Sequence, residues 1–115
     1  SYLLPRQIGQ RKAMEMALLG DRMGAIDAER FGLINFLVAD ADLEAKTDDV
    51  VSRLLGMSPV ALVRSKAMMR SAETADLETQ LEAERLHASK CAGTDDFVEA
   101  IAAFQEKRQP RFTGR

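Results

Sequence analysis

The side chains able to do chemistry are few and fall in the second half of the chain. His87 is the only histidine and Cys91 the only cysteine. Glu84 and Glu99 stand among apolar residues at helical spacing, where a carboxylate needs a cation or a hydrogen-bond donor. Two such glutamates could divide general acid/base work between them. Phe104 and Lys107 lie one helical turn apart near the C-terminus. A ring and an ammonium at that spacing could hold a flat base on one side and a phosphate on the other.

Each candidate also has a plainer reading. His87 flanks a face made by Leu77, Leu81, Ala88 and Cys91, so a packing role outweighs an acid/base one. Nothing near Cys91 marks an activated thiolate, and apolar packing is the simpler account. Glu84 and Glu99 are more economically explained as ion-pair ties between helices than as a catalytic pair. The six methionines read as core filler at helical spacing. Ser/His/Asp order, cysteine–histidine pairing and metal-ligand spacing are all missing, so no metal and no catalytic residue is assigned. Phe104 with Lys107 remains the best ligand candidate, although many helix ends share that pattern.

These residues need helices to place them. The stretch from Asp95 to Arg108 reads as a last helix with an acidic start, a basic end and Pro110 beyond it. Thr94 caps it, and Phe97, Ile101 and Phe104 give it one apolar face that must rest on earlier helices. Ser58-Pro59 is a strong start signal for a helix to about Ala72 that buries Val60, Val63 and Ala67. Thr74 can cap the next, from Ala75 to Cys91. Asp40 or Asp42 can cap another, running to Leu55. Toward the N-terminus, short helices end at Gly9, Gly20 and Gly32. Leu33 to Val38 is the one credible strand, a short apolar run with branched residues. A single strand needs a partner edge that the chain does not visibly contain. The expectation is a mainly α chain of five to six helices and one short strand.

Composition narrows the class. A formal charge of −2 over 115 residues, with scattered basic residues, leaves no footprint for nucleic acid. The apolar stretches are too short for a membrane span. One cysteine excludes a disulfide framework and suits a reducing, cytoplasmic setting. Ser1 in place of a methionine leads us to expect a cut from a longer protein.

In order along the chain stand Leu4-Pro5-Arg6-Gln7-Ile8-Gly9, Ala13 to Arg22, Ala25 to Asn35, Ser58 to Lys66, Leu81 to Glu84, and Asp95 through Phe112. This succession resembles the C-terminal part of the enoyl-CoA hydratase/isomerase (crotonase) superfamily. The resemblance covers essentially the whole chain, with Ala100 standing where many members carry glycine. It implies the helical end of an α/β fold built from ββα turns, with residues 1–38 closing the spiral core. Residues 39–115 would then form a helical trimerisation and CoA-site region.

The implied substrate is an acyl-CoA thioester, most simply a 2-enoyl-CoA to be hydrated. No prosthetic group is implied, and coenzyme A enters as part of the substrate. The implied partners are further copies in a trimer or hexamer, with no nucleic acid or membrane. The catalytic glutamates and oxyanion-hole peptides of the hydratases lie upstream of the position matching Ser1. Phe104 and Lys107 match positions that contact the CoA adenine and phosphate. The alternative is a catalytically inactive helical fragment serving only oligomerisation or docking.

Overall fold

A computed structural model describes all residues, Ser1 to Arg115. Local signals decide where each helix starts and stops. The first is α1 (Leu3–Ile8), followed by α2 (Gln10–Leu19) and α3 (Ala25–Arg30). Gly9 separates α1 from α2 at φ 79° and ψ 150°, a conformation essentially reserved for glycine. The sharp turn lets α1 and α2 pack together, burying Ile8 and Ala13. At the end of α2, the Gly20 N–H donates to the Met16 carbonyl at 3.1 Å.

Two compact units result, Ser1–Lys46 and Thr47–Arg115. In the first, α3 closes through Gly32 at φ 78°, as its glycine stop led us to expect. That turn also corrects the expected strand at Leu33–Val38. These residues form bends and irregular chain, not a strand. The Leu33 and Ile34 N–H groups both donate to the Ala28 carbonyl, at 2.8 and 3.3 Å. Leu37 N–H donates to Glu29 Oε1 at 2.8 Å. Backbone donors that a sheet would use are thus taken by the end of α3 and one glutamate. A strand exists only as part of a ladder, and no second extended segment pairs with this one.

Asp40–Asp42 makes a 3-10 turn that runs directly into α4 (Leu43–Leu55), where a single aspartate cap was expected. The second unit carries α5 (Pro59–Ser71), α6 (Leu77–Ala92) and α7 (Asp95–Gln105), with α6 packed against both α5 and α7. Ser58 caps α5 with Pro59 in its first turn. The cap of α6 is Asp76, not Thr74: Asp76 Oδ1 accepts from Thr79 N–H at 2.8 Å. The Thr74 hydroxyl instead donates to the Ser71 carbonyl behind it. Thr94 caps α7, accepting from Phe97 N–H at 3.2 Å.

The count is therefore seven α-helices and no strand, against five to six helices and one strand expected. Each of the three short N-terminal segments that end at Gly9, Gly20 and Gly32 forms its own helix, so the total exceeds the five to six expected. Burial is sparse. Only Ile8, Ala13, Ala28 and Ala103 are buried apolar residues. Val63 and Ala67, expected in the core, are exposed, and Phe97, Ile101 and Phe104 stand at 43%, 45% and 85% exposure. Their helices carry apolar faces as the periodicity requires, but the rest of the chain covers them only in part.

Candidate functional site at the end of α7

Two carboxylates one turn apart on α7 govern the chain that follows it. Asp96 is 2% exposed. Its Oδ2 accepts from the Ser58 hydroxyl at 2.7 Å, and its Oδ1 from Thr113 N–H at 2.7 Å and Gly114 N–H at 3.1 Å. The Asp96 N–H in turn donates to the Arg115 carbonyl at 3.1 Å. Burial raises the cost of its charge, yet the Ser58, Thr113 and Gly114 donors outweigh this and hold its pKa below the usual carboxylate value. One side chain thereby joins the cap of α5, the start of α7 and the C-terminal tail.

Glu99 does similar work three residues on. Arg108 donates to it through both terminal nitrogens, at 2.6 and 2.9 Å. Arg111 N–H donates to Glu99 Oε1 at 2.7 Å. The Arg108 guanidinium also reaches Glu106 at 2.6 Å. These bonds, led by Arg108 and then the Arg111 amide, pull the Glu99 pKa down to about 2. A carboxylate so acidic is too weak a base for proton transfer near neutrality. Glu99 is thus an ion-pair tie, though it fastens α7 to the turn and tail that follow it and not to another helix as the plainer reading expected. Glu84 is exposed and joins no ion pair, so the tie expected of it is not formed. The partners of Glu99 are Arg108 and the Arg111 amide, not Glu84.

His87 is half-buried and lines a hollow of about 460 Å³ with Val60, Val63, Arg64 and Ala67. Its Nδ1 and the Arg64 Nε have no protein partner. Cys91 is half-buried in an apolar recess of about 320 Å³ beside Met57, Phe97 and Phe112. No acid/base or thiolate machinery surrounds either residue.

Phe104 and Lys107 occupy the exit of α7. Phe104 is 85% exposed. Lys107 is the only non-glycine residue with positive φ, at 54°. The turn around it is closed by two bonds, Lys107 N–H to the Phe104 carbonyl at 3.2 Å and Arg108 N–H to the Ala103 carbonyl at 3.0 Å. This is the Schellman arrangement, in which glycine usually fills the left-handed position. Here a lysine fills it, and its ammonium has no carboxylate partner, while Arg108 beside it has two. The site's chemistry is an exposed ring and an unpaired cation on a turn fastened from both sides.

The Thr94 cap expected from the sequence is formed, and Phe104 and Lys107, named there as ligand candidates, stand together at the exit of α7. The sequence reading missed the role of Asp96, whose donors lie 17 and 18 residues away in the tail, and the Arg108–Glu99 clamp.

The comparisons with known proteins meet this geometry over its full length. A model of the enoyl-CoA hydratase/isomerase family matches residues 1–115. The chain belongs to that family. It is 38% identical over its whole length to 1,2-epoxyphenylacetyl-CoA isomerase from Escherichia coli, covering 44% of that protein. It is 36% identical to a probable enoyl-CoA hydratase from Rhodobacter capsulatus, covering 45% of it. Among solved structures, an enoyl-CoA hydratase from Bacillus anthracis superposes with a TM-score of 0.95 at 32% identity. That match covers 99% of this chain and 44% of the other. The chain thus spans less than half the length of the family members it resembles, and corresponds to their C-terminal helical part.

Proposed function

We propose that the protein carrying this chain acts on acyl-CoA thioesters, most simply by adding water across a 2-enoyl-CoA, with double-bond isomerisation close behind. Family membership supports the substrate class, and the names of the relatives share a CoA thioester while differing in reaction. In this reading the proton-transferring residues and oxyanion hole lie upstream of Ser1. The chain supplies the end of the core (1–38) and a helical region (39–115) that builds a homo-trimer or hexamer and holds CoA. No prosthetic group takes part. The setting is cytoplasmic, and no helix here is long and apolar enough to cross a membrane.

Phe104 and Lys107 contact the adenine and a phosphate of CoA in this proposal. The observation that carries the assignment is Lys107 itself. A non-glycine residue at φ 54° persists only where the surroundings over-determine it, and such outliers cluster at ligand clamps. The test is hydration of crotonyl-CoA by the protein carrying this chain. Lys107→Ala raises KM roughly three- to tenfold, the size expected for one charge-assisted contact at a surface. An unchanged KM removes Lys107 from the site.

A second reading is favoured by the exposed apolar faces, with Leu18, Leu55 and Phe104 at 76%, 80% and 85% exposure. The 115 residues by themselves would then be an inactive helical piece that self-associates or docks on intact subunits. Turnover of an enoyl-CoA by the 115-residue chain alone would eliminate this reading. A clean monomer in light scattering would count against it.

A further inference from the structure

We propose that Glu99 is a positioning residue for CoA binding: by clamping Arg108 and the Arg111 amide, it holds the left-handed turn that presents Lys107. The inference rests on the reading of Phe104 and Lys107 given above. It begins from a mismatch of residue type and conformation. Lys107 has φ 54°, a left-handed conformation that an L residue with a Cβ disfavours. Two backbone bonds close the turn on its helical side, to the Phe104 and Ala103 carbonyls. Those bonds alone are common to helix ends of this type, where the left-handed position is usually glycine.

What is particular to this turn lies on its far side. Arg108, the very next residue, donates two bonds to Glu99 and one to Glu106. Arg111 N–H adds a fourth fixed point on Glu99 Oε1. The chain is therefore pinned at 106, 108 and 111, on both sides of Lys107, by one guanidinium and the two carboxylates of Glu99 and Glu106. The pinning also divides two neighbouring cations by task. Arg108 has its guanidinium committed to two carboxylates, so it cannot readily turn to a phosphate. Lys107 has no carboxylate partner and stays free to do so. A neutral amide at position 99 would keep the size of the side chain but offer one oxygen where the clamp uses two. The turn would then relax toward ordinary backbone, and the ammonium would lose its fixed origin.

The experiment is a double-mutant cycle read by calorimetric affinity for coenzyme A, on the protein carrying this chain. Glu99→Gln and Lys107→Ala each weaken binding roughly three- to tenfold. The double variant binds no more weakly than Lys107→Ala alone, because Glu99 acts only through Lys107. Unchanged affinity in Glu99→Gln overturns the proposal. So does a double variant weaker than Lys107→Ala by the full Glu99→Gln factor, since that is loss of general structure. If Lys107→Ala alone leaves affinity intact, the underlying site reading falls and this inference falls with it; that result shows in the single lysine variant and is not confused with the others. Arg108→Gln cuts the same clamp from its other end and gives the same cycle should Glu99→Gln fail to fold.

Discussion

At the scale of single residues, Lys107 sets ligand contact against local stability. A glycine in its place would sit at φ 54° without a Cβ penalty, so Lys107→Gly should raise the Tm by about 3 °C while weakening CoA. Paired thermal melts and CoA titrations check this, and a variant both less stable and unaltered in affinity would contradict it. Asp96 predicts the opposite. Its side chain is buried and accepts from one hydroxyl and two backbone amides. Asp96→Asn cannot accept at both oxygens and should lower the Tm by about 5 °C or more. How far such residues were legible in the sequence depends on the reach of their partners. Ser58-Pro59 and Thr94 declared themselves because a cap meets its amide three residues on. Asp96 did not, because its amide partners lie in the tail, 17 and 18 residues away, and Ser58 lies 38 residues back.

At the scale of elements, the link between α7 and the tail is electrostatic and therefore pH-dependent. Glu99 has a folded pKa of about 2, below the roughly 4.3 of an unfolded glutamate. Its stabilisation is complete above the unfolded value and is lost as pH falls through the folded one. Asp96 is shifted in the same direction. Acid titration followed by circular dichroism should show stability falling between about pH 4.3 and pH 2, with a flatter profile in Glu99→Gln. Elements also show why one expectation failed. The residues of Leu33–Val38 suit a strand, but a strand is a relation between two segments. Helix ends, by contrast, are local, and Gly20 and Gly32 stopped α2 and α3 where the sequence placed them. Thr74 and Asp76 lie two residues apart and are both good caps. The sequence reading named Thr74, but the cap is decided by which side chain meets an amide, and that is Asp76.

At the scale of the whole molecule, exposure dominates. Four apolar residues are buried, while Leu18, Leu55, Leu77 and Val63 are each more than two-thirds exposed. The helical periodicity that made these faces predictable said nothing of what covers them. An amphipathic face records that a neighbour is needed, not which chain provides it. The 115-residue chain alone should therefore bind an apolar dye such as ANS and scatter light as more than a monomer. Weak dye binding together with a monomeric mass would contradict this.

The tail held by Asp96 and Glu99 has a consequence for solvent exchange. Residues 109–115 contain no helix or strand, yet the Arg111, Thr113 and Gly114 amides each donate to a carboxylate. In hydrogen–deuterium exchange these three should be slow, while Phe112 between them, with no acceptor, exchanges quickly. The pattern would be of an irregular segment with alternating protection. Its slow amides would be released together on acidification, when the two carboxylates gain their protons.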